Sequence, residues 1–174
     1  PEPVDHLIMV GGGIGQTPFL ALGQEALGRR SYGQADRQPG WAKRATLCYG
    51  ARNEQLLACV DDFRNAGITV RLATDDGSTG HRGLVTDLIG PLVDESGGSC
   101  RIVSCGPEPM LKAVVEIARR LDVPCQASLE TPMACGMGIC FSCVTRIRDD
   151  AGGWDYRRTC IDGPVFDGEK IVFD

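Results

Sequence analysis

Four cysteines near the C-terminal end constrain this chain more than any other feature. Cys135, Cys140, Cys143 and Cys160 follow the pattern C-x4-C-x2-C-x16-C. Three thiols in one loop, with a fourth returned from a distance, is the spacing by which thiolates wrap a plant-type [2Fe-2S] cluster. Gly136 and Gly138 let such a loop curl and aim backbone N–H groups at sulfide, and the stretch from Val144 to Thr159 reads as a hairpin that brings Cys160 back. The competing reading is an all-thiolate zinc site, but its ligands usually come as two close pairs, whereas three lie in one loop here. A closed disulfide framework fits poorly with an odd total of nine cysteines. Cys48, Cys59, Cys100, Cys105 and Cys125 fall on or beside predicted strands and helices and read as buried structural thiols.

Upstream of that loop, apolar runs and helical patterns alternate. Residues 6–10 predict a strand, followed by a glycine turn at 11–15 and a helix from Thr17 to about Arg29. Thr17 is suited to cap that helix and Pro18 to its first turn, while Phe19, Leu20, Leu22 and Leu27 supply its apolar face. A polar connection over 30–43 leads to a strand at 45–49, a helix at 54–65 and a strand at 68–73. A loop over 74–83, a short helix at 84–89, a strand at 100–104, a helix at 107–121 and a strand at 124–129 complete the series. This alternation predicts an α/β fold with a parallel sheet covered on both faces, followed by a small cluster domain with short strands. The change of composition places the boundary between residues 1–127 and 128–174.

Ligands of such sheets bind beyond the carboxyl ends of the strands. Three loops meet that requirement. Gly11, Gly12, Gly13 and Gly15, with Gln16 and Thr17, form a strand-to-helix turn, although Gln16 stands where G-x-G-x-x-G would need a glycine. Asp75 and Asp76 follow the third strand, where a carboxylate accepts hydrogen bonds from ribose hydroxyls and repels a 2'-phosphate; this favours NAD over NADP, with an ordinary acidic turn as the alternative. Cys105, Gly106 and Pro107 open the third loop at a helix N-terminus, which favours phosphate. His81 and Arg82 read as solvated loop residues, and His6 needs no special role.

The net charge of -5 argues against a nucleic-acid or anionic-membrane surface. No apolar run approaches the roughly 20 residues that span a bilayer, and the first residues lack the pattern of a signal peptide, so the chain reads as cytoplasmic.

Taken together the motifs resemble the electron-transfer subunits of NAD-dependent dihydroorotate dehydrogenases, in the ferredoxin reductase superfamily. The likeness is carried by Gly11-Gly-Gly-Ile-Gly-Gln-Thr-Pro18, Thr74-Asp-Asp-Gly-Ser78 with Gly83-Leu-Val-Thr-Asp87, Cys105-Gly-Pro107, Ser128-Leu-Glu130, Met133-Ala-Cys-Gly-Met-Gly138 and Cys160-Ile-Asp-Gly-Pro-Val-Phe-Asp167. The resemblance implies a flavin-binding barrel before the nucleotide domain, for which these residues leave no room, so the chain reads as incomplete and FAD as held mostly elsewhere. It implies a relay in which FAD exchanges a hydride with NAD and single electrons with the cluster, and a hetero-oligomer with an FMN-containing catalytic subunit that oxidises dihydroorotate to orotate in pyrimidine biosynthesis. It places Cys105, Gly106 and Pro107 beside the nicotinamide or flavin ring, and Glu130 at the flavin or the domain junction, where a surface carboxylate is an equal alternative. A related flavin and iron-sulfur reductase subunit serving a ferredoxin:NADP or hydrogenase-type partner is the alternative within the same superfamily. A nucleotide-sensing module with structural zinc is the alternative outside it.

Overall fold

The computed structural model describes residues 2–33 and 38–173; part of the polar connection expected at 30–43 lies outside the described residues. In chain order, β1 (Val4–Gly12) leads through a 3-10 turn into α1 (Thr17–Ala26), then β2 (Ala42–Ala51), α2 (Val60–Asn65), β3 (Thr69–Thr74) and β4 (His81–Arg82). These are followed by α3 (Ile89–Asp94), β5 (Cys100–Cys105), α4 (Glu108–Arg120) and β6 (Cys125–Ser128). The C-terminal part adds β7 (Val144–Arg148), β8 (Trp154–Arg158), β9 (Val165–Asp167) and β10 (Ile171–Val172).

The main sheet runs β4-β3-β2-β1-β5-β6-β9, and every neighbouring pair is parallel except β6 with β9. Buried on both sides at its centre, β1 carries the continuous apolar run Leu7-Ile-Met-Val10, because a parallel sheet is covered on both faces. Its alternate residues serve different layers: Leu7 and Met9 pack with Phe19 of α1 and Phe63 of α2, while Ile8 and Val10 pack with Ile89 of α3 and Leu111 and Val114 of α4. The chain proceeds from β1 outward to β4, then crosses back to β5 on the other side of β1. That reversal makes a topological switch point between β1 and β5, and a crevice opens above it.

Local structure departs from the sequence expectations where tertiary contacts intervene. The helix expected at 54–65 is divided into a 3-10 turn at Glu54–Leu56 and α2, with Cys59 left-handed at φ 59° between them. The Tyr49 hydroxyl accepts the Ala58 N–H at 3.2 Å and donates to the Leu56 carbonyl at 3.4 Å, so it engages backbone groups that a continuous helix would use internally. Cys59 is exposed, not buried as expected, and Cys100 is half-buried; burial pushes the Cys48 and Cys125 thiols up to about 12. Thr17 does not cap α1: the 3-10 turn at Gly13–Gln16 runs directly into the helix, leaving Gln16 at the cap position without a side-chain hydrogen bond. The helix expected at 84–89 is a 3-10 turn at Val85–Leu88 that continues into α3. No helix among the described residues is long and apolar enough to cross a membrane.

His6 has a role after all. Its ring is buried on β1, with Nδ1 2.8 Å from Ser96 Oγ and Nε2 2.8 Å from Thr46 Oγ1. Ser96 already donates to the Leu92 carbonyl at 2.7 Å, so it accepts from Nδ1–H, and Thr46 donates to the unprotonated Nε2. A second proton would break that pattern. Burial first, and the nearby Arg44 charge second, push the imidazole from 6.5 down to about 4. Between those values the unfolded chain binds a proton that the folded chain refuses, so stability falls as pH drops from 6.5 toward 4, by at most about 1.4 kcal/mol per pH unit. Urea unfolding at pH 7 and pH 5 is expected to show a smaller loss on acidification for His6→Gln than for the parent protein.

Candidate functional site

A cleft of about 1040 Å³ lies above the switch point, lined by residues from every strand end that faces it. Gly12, Gly13, Gly15, Gln16 and Thr17 form its floor after β1. Gly12 is the last residue of β1, and Gly11, one residue earlier and paired with Tyr49 and Cys105, does not line the cleft. Asp75 lines the far end, whereas Asp76 does not. The Asp76 carboxylate accepts the Ser78 N–H at 2.9 Å and is held below the usual carboxylate range by Ser78. Cys105, Gly106, Pro107 and Glu130 all line the cleft. Parallel pairing of β5 with β6 sets Cys105 beside Ser128, and burial raises the Cys105 thiol while the Ser128 hydroxyl opposes the shift and the Glu130 charge reinforces it. Cys105 is thus a neutral thiol at neutral pH.

The floor and the Cys105 turn touch backbone to backbone. A Cβ on Gly15 would stand 2.2 Å from the Cys105 carbonyl oxygen, so only glycine permits the approach. Sequence reasoning missed Arg52, immediately after β2, whose side chain borders the cleft near Asp75. Extending β2 to its true end would have identified Arg52. The Gly83-Leu-Val-Thr-Asp87 motif forms a wall of the cleft through Thr86, braced by Asp87, which accepts the Leu84 N–H and lies 3.0 Å from the His81 ring. Ile14, Leu56 and Leu84 expose apolar side chains at the rim.

The cleft reaches Glu130 and Met133, where the cluster loop begins. The sixteen-residue excursion is the β7–β8 hairpin: Val144 pairs with Arg158, and the Thr159 N–H donates to the Cys143 carbonyl at 2.9 Å. Cys160 is thereby returned to Cys143. The four thiols form two interacting pairs, Cys135 with Cys140 and Cys143 with Cys160. Backbone N–H groups of Met137, Cys140 and Ile139 point at the Cys135 sulfur and bring its thiol down to about 6. None of the nine cysteines is in a disulfide. Among the described residues no three Cys, His, Asp or Glu side chains converge on one ion position. Four free thiols in two pairs, surrounded by inward N–H donors, fit a two-iron cluster that takes two thiolates per iron.

Residues 9–116 match the oxidoreductase NAD-binding domain family, and residues 130–172 match the iron-sulfur cluster binding domain of dihydroorotate dehydrogenase B. The chain is 39% identical over 169 residues to the dihydroorotate dehydrogenase B (NAD(+)) electron transfer subunit of Caldanaerobacter subterraneus subsp. tengcongensis, covering 97% of this chain and 60% of that protein. It is 36% identical over 168 residues to the probable subunit of the same description from Thermococcus kodakarensis, again covering 97% and 60%. The chain therefore spans about three-fifths of the length of these curated relatives. Among solved structures it matches an NADH-dependent reduced ferredoxin-NADP oxidoreductase with a TM-score of 0.77 and 29% identity, over 98% of this chain and 55% of that one.

Gly15→Ala is expected to force the two turns apart, destabilising the fold by about 1–3 kcal/mol in thermal unfolding and weakening NADH binding in a fluorescence titration. Gly13→Ala is the control: its Cβ meets nothing within 4 Å, so only the backbone strain of φ 55° opposes it.

Proposed function

Because the chain belongs to the oxidoreductase NAD-binding domain family, here followed by a cluster-binding domain of the dihydroorotate dehydrogenase B type, we propose that it is the NAD- and cluster-bearing portion of such an enzyme's electron-transfer subunit. The observation that carries this reading is continuity: one cleft runs from Asp75 past the glycine turn and Cys105 to Glu130 and Met133, at the entrance of the thiol loop. Residues 1–127 hold NAD and residues 128–174 hold the cluster through Cys135, Cys140, Cys143 and Cys160. FAD would be held mostly by a barrel domain outside these residues, and Cys105 and Glu130 are the residues of this chain that would meet it. The chemistry supplied by the bound groups is hydride exchange at NAD, division into single electrons at FAD and their relay through the cluster.

The chain's own residues bind, orient and exclude water. Asp75 accepts ribose hydroxyls, and Gly12 to Thr17 present the backbone of the turn to the pyrophosphate. Cys105, Gly106 and Pro107 offer a neutral, tightly packed surface to the reacting rings. Met133, Met137, Ile139 and Phe141 surround the thiol loop with exposed apolar side chains, and we assign that face to the FMN-containing subunit that oxidises dihydroorotate to orotate, in the cytoplasm. Likeness to the ferredoxin-NADP oxidoreductase structure favours a second reading, in which the same relay serves a different partner.

Anaerobically prepared protein is expected to be red-brown, to contain two irons and two acid-labile sulfides per chain and to bleach with dithionite, and Cys143→Ser is expected to lose that colour. Colourless protein with one zinc would defeat the reading. In the complex of the full-length, FAD-loaded subunit with its catalytic subunit, dihydroorotate should bleach the same absorption; its failure to do so, with NADH still effective, selects the second partner reading. Asp75→Asn is expected to shift the ratio of NADH to NADPH affinity by about tenfold toward NADPH, the equivalent of one hydrogen bond to a charged group.

A further inference from the structure

We propose that Arg158 is the positioning residue that locks the two segments of the thiol loop together, and that its fixed positive charge raises the reduction potential of the cluster held there. The inference rests on the cluster reading above. Cys135, Cys140 and Cys143 come from one segment and Cys160 from another, so the site is complete only when the two are held in register. Arg158, the last residue of β8, bridges them with a single side chain. Its Nη1 donates to the Gly138 carbonyl at 2.8 Å, between Cys135 and Cys140. Its guanidinium carbon stands 5.0 Å from the centroid of the Phe141 ring, a cation–π contact with the same segment. On the other side, Asp162 accepts the Arg158 backbone N–H at 2.8 Å and lies 3.4 Å from Nε, which ties Arg158 to the turn that carries Cys160.

Both anchored residues in the first segment have unusual backbone. Gly138 lies at φ 83° with its α-carbon close against Ile161, and Phe141 lies at φ 55°, where a side chain is disfavoured. The guanidinium therefore holds the loop at the Gly138 turn and at Phe141, the one of the two whose side chain disfavours its backbone conformation. Its side chain is only 28% exposed, which limits screening by water. Guanidinium does not deprotonate at accessible pH, so the charge is permanent. An added electron is stabilised by a nearby positive charge, and the surrounding protein charge is one of the factors that set a cluster's potential. Asp162 opposes that effect and at the same time fixes where the guanidinium sits. Lysine keeps the charge but lacks the planar fork that reaches carbonyl, carboxylate and ring at once.

The test uses the full chain with its cluster loaded, comparing the parent with Arg158→Gln, Arg158→Lys and Asp162→Asn. Two quantities are read: the midpoint potential by dye-mediated titration followed by EPR, and the rate of colour loss under EDTA, with far-UV circular dichroism reporting retention of the fold. Arg158→Gln is expected to lower the potential and to lose its cluster several-fold faster. Arg158→Lys should retain the parent potential but share the faster loss, which separates charge from positioning. Asp162→Asn should raise the potential, and it decides the electrostatic half if Arg158→Gln proves too unstable to hold a cluster. Parent-like potential and parent-like cluster lifetime in Arg158→Gln would overturn the proposal, as would shifts of the same sign in Arg158→Gln and Asp162→Asn. Failure of the parent chain itself to take up iron and sulfide would instead defeat the cluster reading on which the proposal rests.

Discussion

The backbone contact between the turn that leaves β1 and the turn that leaves β5 decides how the rest is arranged. Gly15 admits the Cys105 carbonyl where any side chain would exclude it, so the two strand ends stand side by side with no bulk between them. Because the chain reverses direction across the sheet at this point, the meeting of the two turns becomes the floor of the cleft. The neighbouring strand pairing then carries the same surface outward: Cys105 is paired with Ser128, and the chain after Ser128 passes Glu130 and enters the thiol loop. A dinucleotide site and a thiol site that are far apart in sequence are thereby joined by a few residues of backbone.

The C-terminal part is fastened to that frame at both ends. The Leu129 N–H donates to the Pro164 carbonyl at 2.9 Å, and β9 pairs antiparallel with β6 through Ala127 and Phe166. The thiol loop and the β7–β8 hairpin are thus held between two adjacent points of the main sheet. Any electron path between the cleft and the cluster profits from such anchoring, because small displacements of either part would change their separation. The remaining freedom lies within the loop, and Arg158 limits it by connecting Gly138, Phe141 and Asp162. Met137, Ile139 and Phe141 expose apolar side chains on the same loop.

Much of this was legible before any coordinates. The alternation of β-type runs and amphipathic helices identified the sheet, because burial on both faces demands continuous apolar strands. The cysteine spacing singled out four thiols that the fold brings into two pairs, because the β7–β8 hairpin spans the sixteen residues between Cys143 and Cys160. Local pattern failed where a distant side chain competed for backbone groups. The Tyr49 hydroxyl divides the segment expected as one helix at 54–65, and no periodicity within that segment reports on Tyr49. Likewise β9 is too short to be read as a strand until β6 offers it an edge.

The sequence by itself determined which residue types were available: glycines at two strand ends, four correctly spaced thiols, and acidic residues after the third strand. Only the tertiary structure decided that Asp75 and not Asp76 faces the cleft, that Arg52 stands near it, that His6 is sealed between Ser96 and Thr46, and that Arg158 spans the two thiol-bearing segments. The physical reason is the range of the forces concerned. Backbone propensity and hydrophobic periodicity act over a few residues and can be read along the chain, whereas the direction of a side chain and the partners of a charge depend on strands brought together from opposite ends of it.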